Sequence, residues 1–452
     1  MWARLSDRFL GNPLIRRVLK NSAYLFSASG IAIGLNFFQN LLVANMLGPL
    51  WFGVLGAIVK FTSVINKLLS FRMNELVVKY IGEFEAQDDH PRAAALFKVA
   101  TGVELVSSVL SFGAILWLAP LAAQFLAKDI ATTEWFALYG LIVLGNFMFE
   151  SASGLLQISD RFRHIATLQV IQSATTLSLI VIVFFSGGDL FEIVLAYMAG
   201  KLVNGSGMSF MALREARRMW GAGWWRARIG LLNSARQEMV RFAVNTNISA
   251  TINLVNKDSE ELWVSFFRGP LEAGYYKQAL ALSNLVLLPV APLPQATYPE
   301  LSREAARENW SNLRYVIRQG SRLALTYSAI AAAALLIFGR PFIARFYGEE
   351  FLPAYPAMAI LLVGLLVANT FYWNRTTLLA LGRADYPTKV NAIAAVLKVA
   401  LALLLIPKAG YLASAALLSA YYIFSIGLNV WKGYAELAER EARTAETAQG
   451  SA

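Results

Sequence analysis

Lys257-Asp258-Ser259-Glu260-Glu261 sets four charged side chains just ahead of the apolar run 262–267. Carboxylates in a partly dry setting can hold and exchange protons, and their oxygens are hard ligands suited to Na+. Lys257 and Glu261 stand four apart, so on a helix they can equally form a plain ion pair. Four cations, Lys60, Lys201, Arg375 and Lys398, fall inside other long apolar runs. An ammonium or a guanidinium fork in such a place suits a phosphate or another anion. The competing reading is structural: these cations pair with Glu104, Glu150 or Glu192 and only fix helix packing. A charge at a bilayer centre costs about 2.5–3.5 kcal/mol even on the gentler insertion scale, so each one needs a reason.

The elements that must carry these residues are membrane helices. Of 452 residues, 57% are hydrophobic and 15% charged, where a soluble chain is about a quarter charged. Without cysteine, and with His90 and His164 as the only histidines, disulfides and thiolate or histidine metal centres are excluded. Hydropathy gives twelve spans, roughly 21–46, 50–71, 94–118, 134–157, 165–186, 190–213, 242–267, 272–298, 314–338, 354–380, 387–406 and 410–431. The first run is too long for a signal-peptide core and is read as retained. Each span is expected to be a helix, because lipid offers backbone groups no partner.

Counting Lys and Arg in the connections, 26 lie on the side that includes both termini and five on the other. The positive-inside rule then places both termini in the cytoplasm of a bacterial inner membrane. The net charge of +11 is thereby a topology signal, and no nucleic-acid partner is expected. Arg214, Arg217, Arg218, Arg226 and Arg228, with Trp220, Trp224 and Trp225, read as a basic interfacial linker, with capture of anionic headgroups as the alternative. The outer connections are too short to form a catalytic domain, so the chain reads as a transporter and not an enzyme.

The two halves repeat. Leu47-Gly48-Pro49-Leu50-Trp51-Phe52-Gly53 returns as Arg268-Gly269-Pro270-Leu271-Glu272-Ala273-Gly274, and Pro120–Phe125 returns as Pro341–Phe346, both at an offset of 221. By that offset Gln39 and Asn40 stand where Glu260 and Glu261 stand in the second half. The expected organisation is an N-lobe over 1–213, a linker over 214–241, a C-lobe over 242–432 and a polar tail over 433–452. The fold class is an all-α polytopic membrane protein of about twelve helices, in two six-helix lobes related by a parallel repeat. Such lobes bind substrate between them and rock. The four cations are expected to face that water-filled cleft, and prolines 289, 292 and 294 are expected to break or kink the eighth span.

The stretch Asn21–Gly53, ending Leu-Gly-Pro-x-x-Phe-Gly, resembles the opening of bacterial Wzx-type polysaccharide flippases, in the multidrug/oligosaccharidyl-lipid/polysaccharide exporter superfamily. Gly269-Pro270 with Ala273-Gly274-Tyr275-Tyr276-Lys277-Gln278-Ala279, Tyr298-Pro299-Glu300-Leu301-Ser302, and Phe346-Tyr347-Gly348-Glu349-Glu350-Phe351 are similar to later motifs of the same family. The family commonly has an acid ten positions before the second Gly-Pro proline, and here it is Glu260.

The resemblance implies a substrate of undecaprenyl-pyrophosphate bearing an oligosaccharide, moved from the cytoplasmic to the periplasmic leaflet. It also implies coupling to H+ or Na+ and no other cofactor, membrane lipids as neighbours, and a place beside polysaccharide polymerase machinery. No G-x-x-x-x-G-K-[ST] phosphate loop occurs, in keeping with ion coupling. Lys60, Lys201, Arg375 and Lys398 are then the substrate-binding candidates, and Lys257, Asp258, Glu260 and Glu261 the ion-coupling candidates. Tyr372 and Trp373 beside Arg375 are candidates to stack on sugar or to pack in the core. A multidrug/cation antiporter of the same superfamily and a membrane glycan polymerase or ligase stand as alternatives. The excess of intramembrane cations favours an anionic substrate over a cationic drug.

Overall fold

The computed structural model describes residues 13–255, 259–383 and 385–450, with Lys257 and Asp258 outside the described residues. The described residues are mostly helical and contain no strand. The longer helices are α1 (Pro13–Leu69), α2 (His90–Ala122), α3 (Thr133–Gly145), α4 (Phe149–Ile158), α5 (Phe162–Ser186), α6 (Leu190–Trp220) and α7 (Arg236–Asn253). They continue as α8 (Glu260–Arg268), α9 (Pro270–Ser283), α10 (Leu293–Ala306), α11 (Trp310–Phe346), α12 (Ala354–Thr370), α13 (Asn374–Ala380) and α14 (Asp385–Gly450).

Among the described residues, seven helical stretches are long and apolar enough to cross a membrane: parts of α1 and α14, and α2, α3–α4, α5, α11 and α12–α13. α1 turns at Gly48 (φ 63°, ψ 174°) and α14 at Gly410 (φ 61°, ψ −143°), so each carries two crossings. With α6, α7–α8 and α9–α10 the protein is an all-α polytopic membrane protein of about twelve crossings.

Contacts divide the chain into two units. One runs through Leu47 and includes Phe61–Gln124 and Asp129–Thr251; the other is Gly48–Lys60, Phe125–Lys128 and the chain from Ile252. The first unit's core gathers Tyr80, Phe97, Leu155 and Met208, with Trp220 and Trp224 packed against it. Their rings lie 5.7 Å and 5.3 Å from the Phe97 ring, and Trp220 Nε1 donates to Glu85 Oε1 at 2.7 Å. Two tryptophans of the expected interfacial linker therefore pack inward, whereas Trp225 is 54% exposed. The second unit's core gathers Leu301, Trp310, Leu313, Trp373 and Leu437.

The repeat is carried in backbone conformation. Gly48 and Gly269 share a positive φ with an extended ψ (63°, 174° and 95°, 174°), a region open essentially to glycine, and proline follows each. The loops before α2 and α11 match as well. Asp88 and Glu308 have φ of 56° and 54°, after which the side chains of Asp89 and Asn309 accept from the amides of Arg92 and Asn312. Such caps satisfy the open amides of a helix start.

Four crossings are not single continuous helices, and for one of them, the eighth, a break or kink was expected. The seventh is α7 followed by α8, with Glu260 and Glu261 in the first turn of α8, where the helix dipole favours acids. The eighth breaks as its prolines suggested: α9 ends at Ser283, a 3-10 turn spans Asn284–Leu287, and α10 resumes with Pro292 as its N-cap and Pro294 in its first turn. Proline is tolerated at a helix start because its missing amide would go unused there. The fourth and tenth crossings break without proline, at 146–148 and 371–373. Asn146 donates its side-chain amide to Ile142 O (2.7 Å), and Asn369 donates to Val286 O and Ser328 Oγ (both 2.9 Å).

Gly53 and Gly274, paired by the 221 offset, meet the opposite turn. A Cβ on Gly53 would overlap the Pro270 carbonyl oxygen, and one on Gly274 the Pro49 carbonyl oxygen. All four residues belong to the second unit. Gly53→Leu and Gly274→Leu are each expected to destabilise by at least ~1–3 kcal/mol through overpacking, read as a lower Tm of the purified protein in detergent. Gly113→Ala, where an added Cβ meets nothing within 4 Å, is expected to leave Tm unchanged or higher.

Candidate functional site

In the second unit α8 and α14 bring two predicted residues into contact. Glu260, 3% exposed, forms an ion pair with Lys398, 7% exposed. The α8 start places Glu260, and the face of α14 that carries Ala394 and Ala402 buries Lys398. A salt bridge with both charges out of water stands only if geometry and further contacts compensate the lost hydration. The Tyr421 ring supplies one such contact, its centroid 5.5 Å from Lys398 Nζ.

Glu261 is buried beside this pair. Its Oε1 has no hydrogen-bond partner and lies against Gly56, where a Cβ would overlap it. The same Cβ would fall 2.9 Å from Lys277 Cδ, so acid and lysine flank one glycine. Lys277 Nζ donates to Phe52 O at 3.1 Å and sits 3.8 Å from the Phe52 ring centroid. Lys277 was not among the sequence candidates. The signal for it was available, since by the 221 offset it stands where the first half has Gly56.

Next to the pair, the second unit encloses a cavity of about 340 Å³. Arg375, Asn369, Asn374, Asn391 and Asn429 line it, together with Tyr372, Tyr421 and Tyr422. Arg375 stands in the first turn of α13, just past the 371–373 break that opens the wall. It is exposed and pairs with no carboxylate among the described residues. Asn429 Nδ2 donates to Asn374 Oδ1 (3.2 Å), Asn374 Nδ2 to Phe371 O (2.8 Å) and Tyr421 Oη to Asn391 Oδ1 (3.3 Å). Asn429 Oδ1 is buried and has no partner. Tyr421 therefore belongs both to the cavity wall and to the surroundings of the ion pair.

The four candidate cations do not share one place. Arg375 lines the cavity, and Lys398, bound to Glu260, reaches it only through the shared Tyr421 side chain. Lys60 is half-buried in the second unit, whereas Lys201 is exposed on α6 of the first unit. Neither Glu104, Glu150 nor Glu192 pairs with any of the four among the described residues. Trp373 is fully buried and donates Nε1 to Ser321 Oγ at 2.6 Å, so of the two aromatics beside Arg375 only Tyr372 faces the cavity. Cavity asparagines were missed because single amides in apolar spans look like tolerated exceptions.

A family model described as polysaccharide biosynthesis protein matches residues 18–304. Inner membrane protein YghQ of Escherichia coli (strain K12) is 24% identical over 344 residues, which make up 75% of this chain and 95% of that protein. The fold is shared with a multidrug resistance MATE family transporter of the MOP superfamily in its inward-facing conformation. The TM-score is 0.73 at 12% identity, covering 90% of this chain and 95% of that one. It is shared too with lipid II flippase MurJ in its inward closed conformation, at a TM-score of 0.69 and 14% identity, covering 92% and 89%. With the family model spanning well over half its length, the chain belongs to the polysaccharide biosynthesis protein family.

Proposed function

We propose that this protein moves an undecaprenyl-pyrophosphate-linked oligosaccharide from the cytoplasmic to the periplasmic leaflet of a bacterial inner membrane by ion-coupled alternating access, with both termini cytoplasmic. The observation that carries the reading is the lining of the second unit's cavity: among the described residues, one unpaired guanidinium, four carboxamides, three phenols and no carboxylate. A guanidinium fork matches phosphate oxygens in geometry and charge. Carboxamides offer donors and acceptors together, as sugar hydroxyls require, and tyrosine rings give an apolar face with a polar edge. A cationic drug would call for acidic groups in that wall. The name of the lipid II flippase points to the same class of cargo, a lipid-linked saccharide.

Coupling runs through Glu260 and Lys398 in this reading. A proton or Na+ arriving at Glu260 competes with the ammonium for the carboxylate. Lys398 is then freed beside Tyr421, at the edge of the cavity, where it adds a second positive charge to that of Arg375. Ion binding at Glu260 thus changes the charge presented to the substrate anion, and such a differential interaction is what linkage between two ligands requires. Glu261, with Lys277 across Gly56, adds a second carboxylate to the coupling region.

The test is reconstitution of the full chain with a labelled polyprenyl-pyrophosphate oligosaccharide under proton and sodium gradients. Arg375→Ala is expected to lower transport about 10- to 100-fold, the equivalent of losing a charge-assisted hydrogen bond of ~1.5–3 kcal/mol. Arg375→Lys, which keeps charge but not the fork, is expected to fall between. Lys60→Ala in the same assay reports whether that half-buried lysine touches the path. Unchanged flux in Arg375→Ala would sink the substrate assignment.

Glu260→Gln is expected to leave passive exchange but remove its dependence on the gradient. Lys398→Met alone strands the carboxylate, with an expected cost of about 3–5 kcal/mol, and adding Glu260→Gln is expected to restore most of that loss. Thermal unfolding of the two single variants and the double variant measures the coupling. Full gradient dependence in Glu260→Gln rejects this route.

A further inference from the structure

The first unit holds a buried acid that the proposed transport route does not use. Glu104 lies on α2, is 3% exposed, and faces the start of α4, where the fourth crossing resumes after its break at 146–148. Its Oε1 accepts from the Ser151 amide at 2.7 Å and from Ser151 Oγ at 2.9 Å. Its Oε2 is buried and has no hydrogen-bond partner.

Among the described residues, no countercharge pairs with Glu104. α2 packs against α3, α4 and α6, the helical segments over 77–86 and the turns over 224–232. From α4 it is faced by Ser151 and by Glu150, which is itself acidic. No Lys, Arg or His of the described residues forms an ion pair with it. The amide and partial positive charge at the α4 start serve one oxygen and leave the other bare.

A carboxylate with a bare, dry oxygen calls for a cation. Among the described residues, no cluster of three or more His, Asp or Glu is placed to hold a metal ion. One carboxylate and one hydroxyl also fall well short of the six or so oxygens of a hard metal ion's shell. A proton needs only Oε2 and no further ligand.

We propose that Glu104 is a proton-binding site of the first unit, loaded on Oε2 while Ser151 holds Oε1, and separate from the Glu260–Lys398 pair. The proton comes from water and returns to water when the Ser151 end of α4 moves away, so the site follows the break in the fourth crossing. Its tie to transport rests on the function proposed above; the existence of the site does not.

Infrared difference spectroscopy of the purified full chain in H2O and D2O tests it without a substrate. The wild type is expected to show a protonated-carboxyl band that titrates with pH, shifts in D2O and does not respond to Na+. Glu104→Gln, close in shape and still an acceptor for Ser151, is expected to lose that band, whereas Glu260→Gln keeps it. Ser151→Ala removes only the hydroxyl donor and is expected to keep the band but move the pH at which it titrates; this arm stands if Glu104→Gln fails to fold. In proteoliposomes, Glu104→Gln is expected to lose at least half of the proton movement that accompanies each substrate. A band that survives Glu104→Gln, or one that follows Na+ and not pH, overturns the proposal. Loss of the band in a chain that moves no lipid-linked sugar would leave the site standing and remove the transport reading.

Discussion

The hydrocarbon core supplies no partner to a backbone amide or to a charge, and the described structure is organised around that deficit. Wherever a crossing breaks, the chain provides the missing bonds itself. Asn146 returns its amide to Ile142 O at the end of α3, and Asn369 spans from α12 to Val286 O and Ser328 Oγ. The start of α4 is met by Glu104, and the start of α13 is braced by Asn374, which donates to Phe371 O and accepts from Asn429. Charges follow the same rule. Glu260 and Lys398 hold each other, and Lys277 takes a carbonyl and a ring of the second crossing. These polar insertions are thereby bound to specific neighbours, which helps give helices of nearly uniform apolarity a fixed register.

The repeat shows which features of this scheme are architectural and which have diverged. The glycine conformations at Gly48 and Gly269, the capped loops before α2 and α11, and the breaks at 146–148 and 371–373 recur in both halves. The charges do not. Gln39 donates to Ser173 O at 2.7 Å where, by the offset, Glu260 sits against Lys398. Gly56 stands opposite Lys277, and Glu150, the second residue of α4, answers Arg375, the second residue of α13. Backbone geometry is kept because steric requirements for glycine and for caps permit few substitutes. Side-chain charge can change by one residue at a time, provided that a partner appears across the helix pair.

This divides what sequence could disclose from what it could not. Membrane residence, helicity and the two Gly-Pro turns follow from composition and local chemistry, and the fold agrees with them. The eighth crossing was legible too, since prolines 289, 292 and 294 leave an interior helix few options. The breaks in the fourth and tenth crossings were not, because hydropathy averages over Asn146 and Asn369, and an asparagine in an apolar run is compatible with an unbroken helix. Pairing was harder still. Glu260 and Lys398 are 138 positions apart, and no local pattern joins α8 to α14. Lys257 and Asp258, equally prominent in the sequence cluster, lie outside the described residues.

Pairing also changes how the intramembrane charges are counted. Read along the chain, Lys398 and Arg375 are two equal cations. Folded, Lys398 is spoken for by Glu260, and among the described residues Arg375 alone presents unpaired charge to the asparagine- and tyrosine-lined cavity. A buried pair of this kind is weak as a source of stability, because the desolvation of both ions offsets most of their attraction. Its physical distinction is its place: the Tyr421 side chain contacts the Lys398 ammonium and also lines the cavity. Among the described residues no such ammonium pairs with Glu104, whose Oε1 is bonded to Ser151. The two acids therefore stand in different settings: Glu260 is held by a buried ammonium, and Glu104 is bonded to the start of a helix.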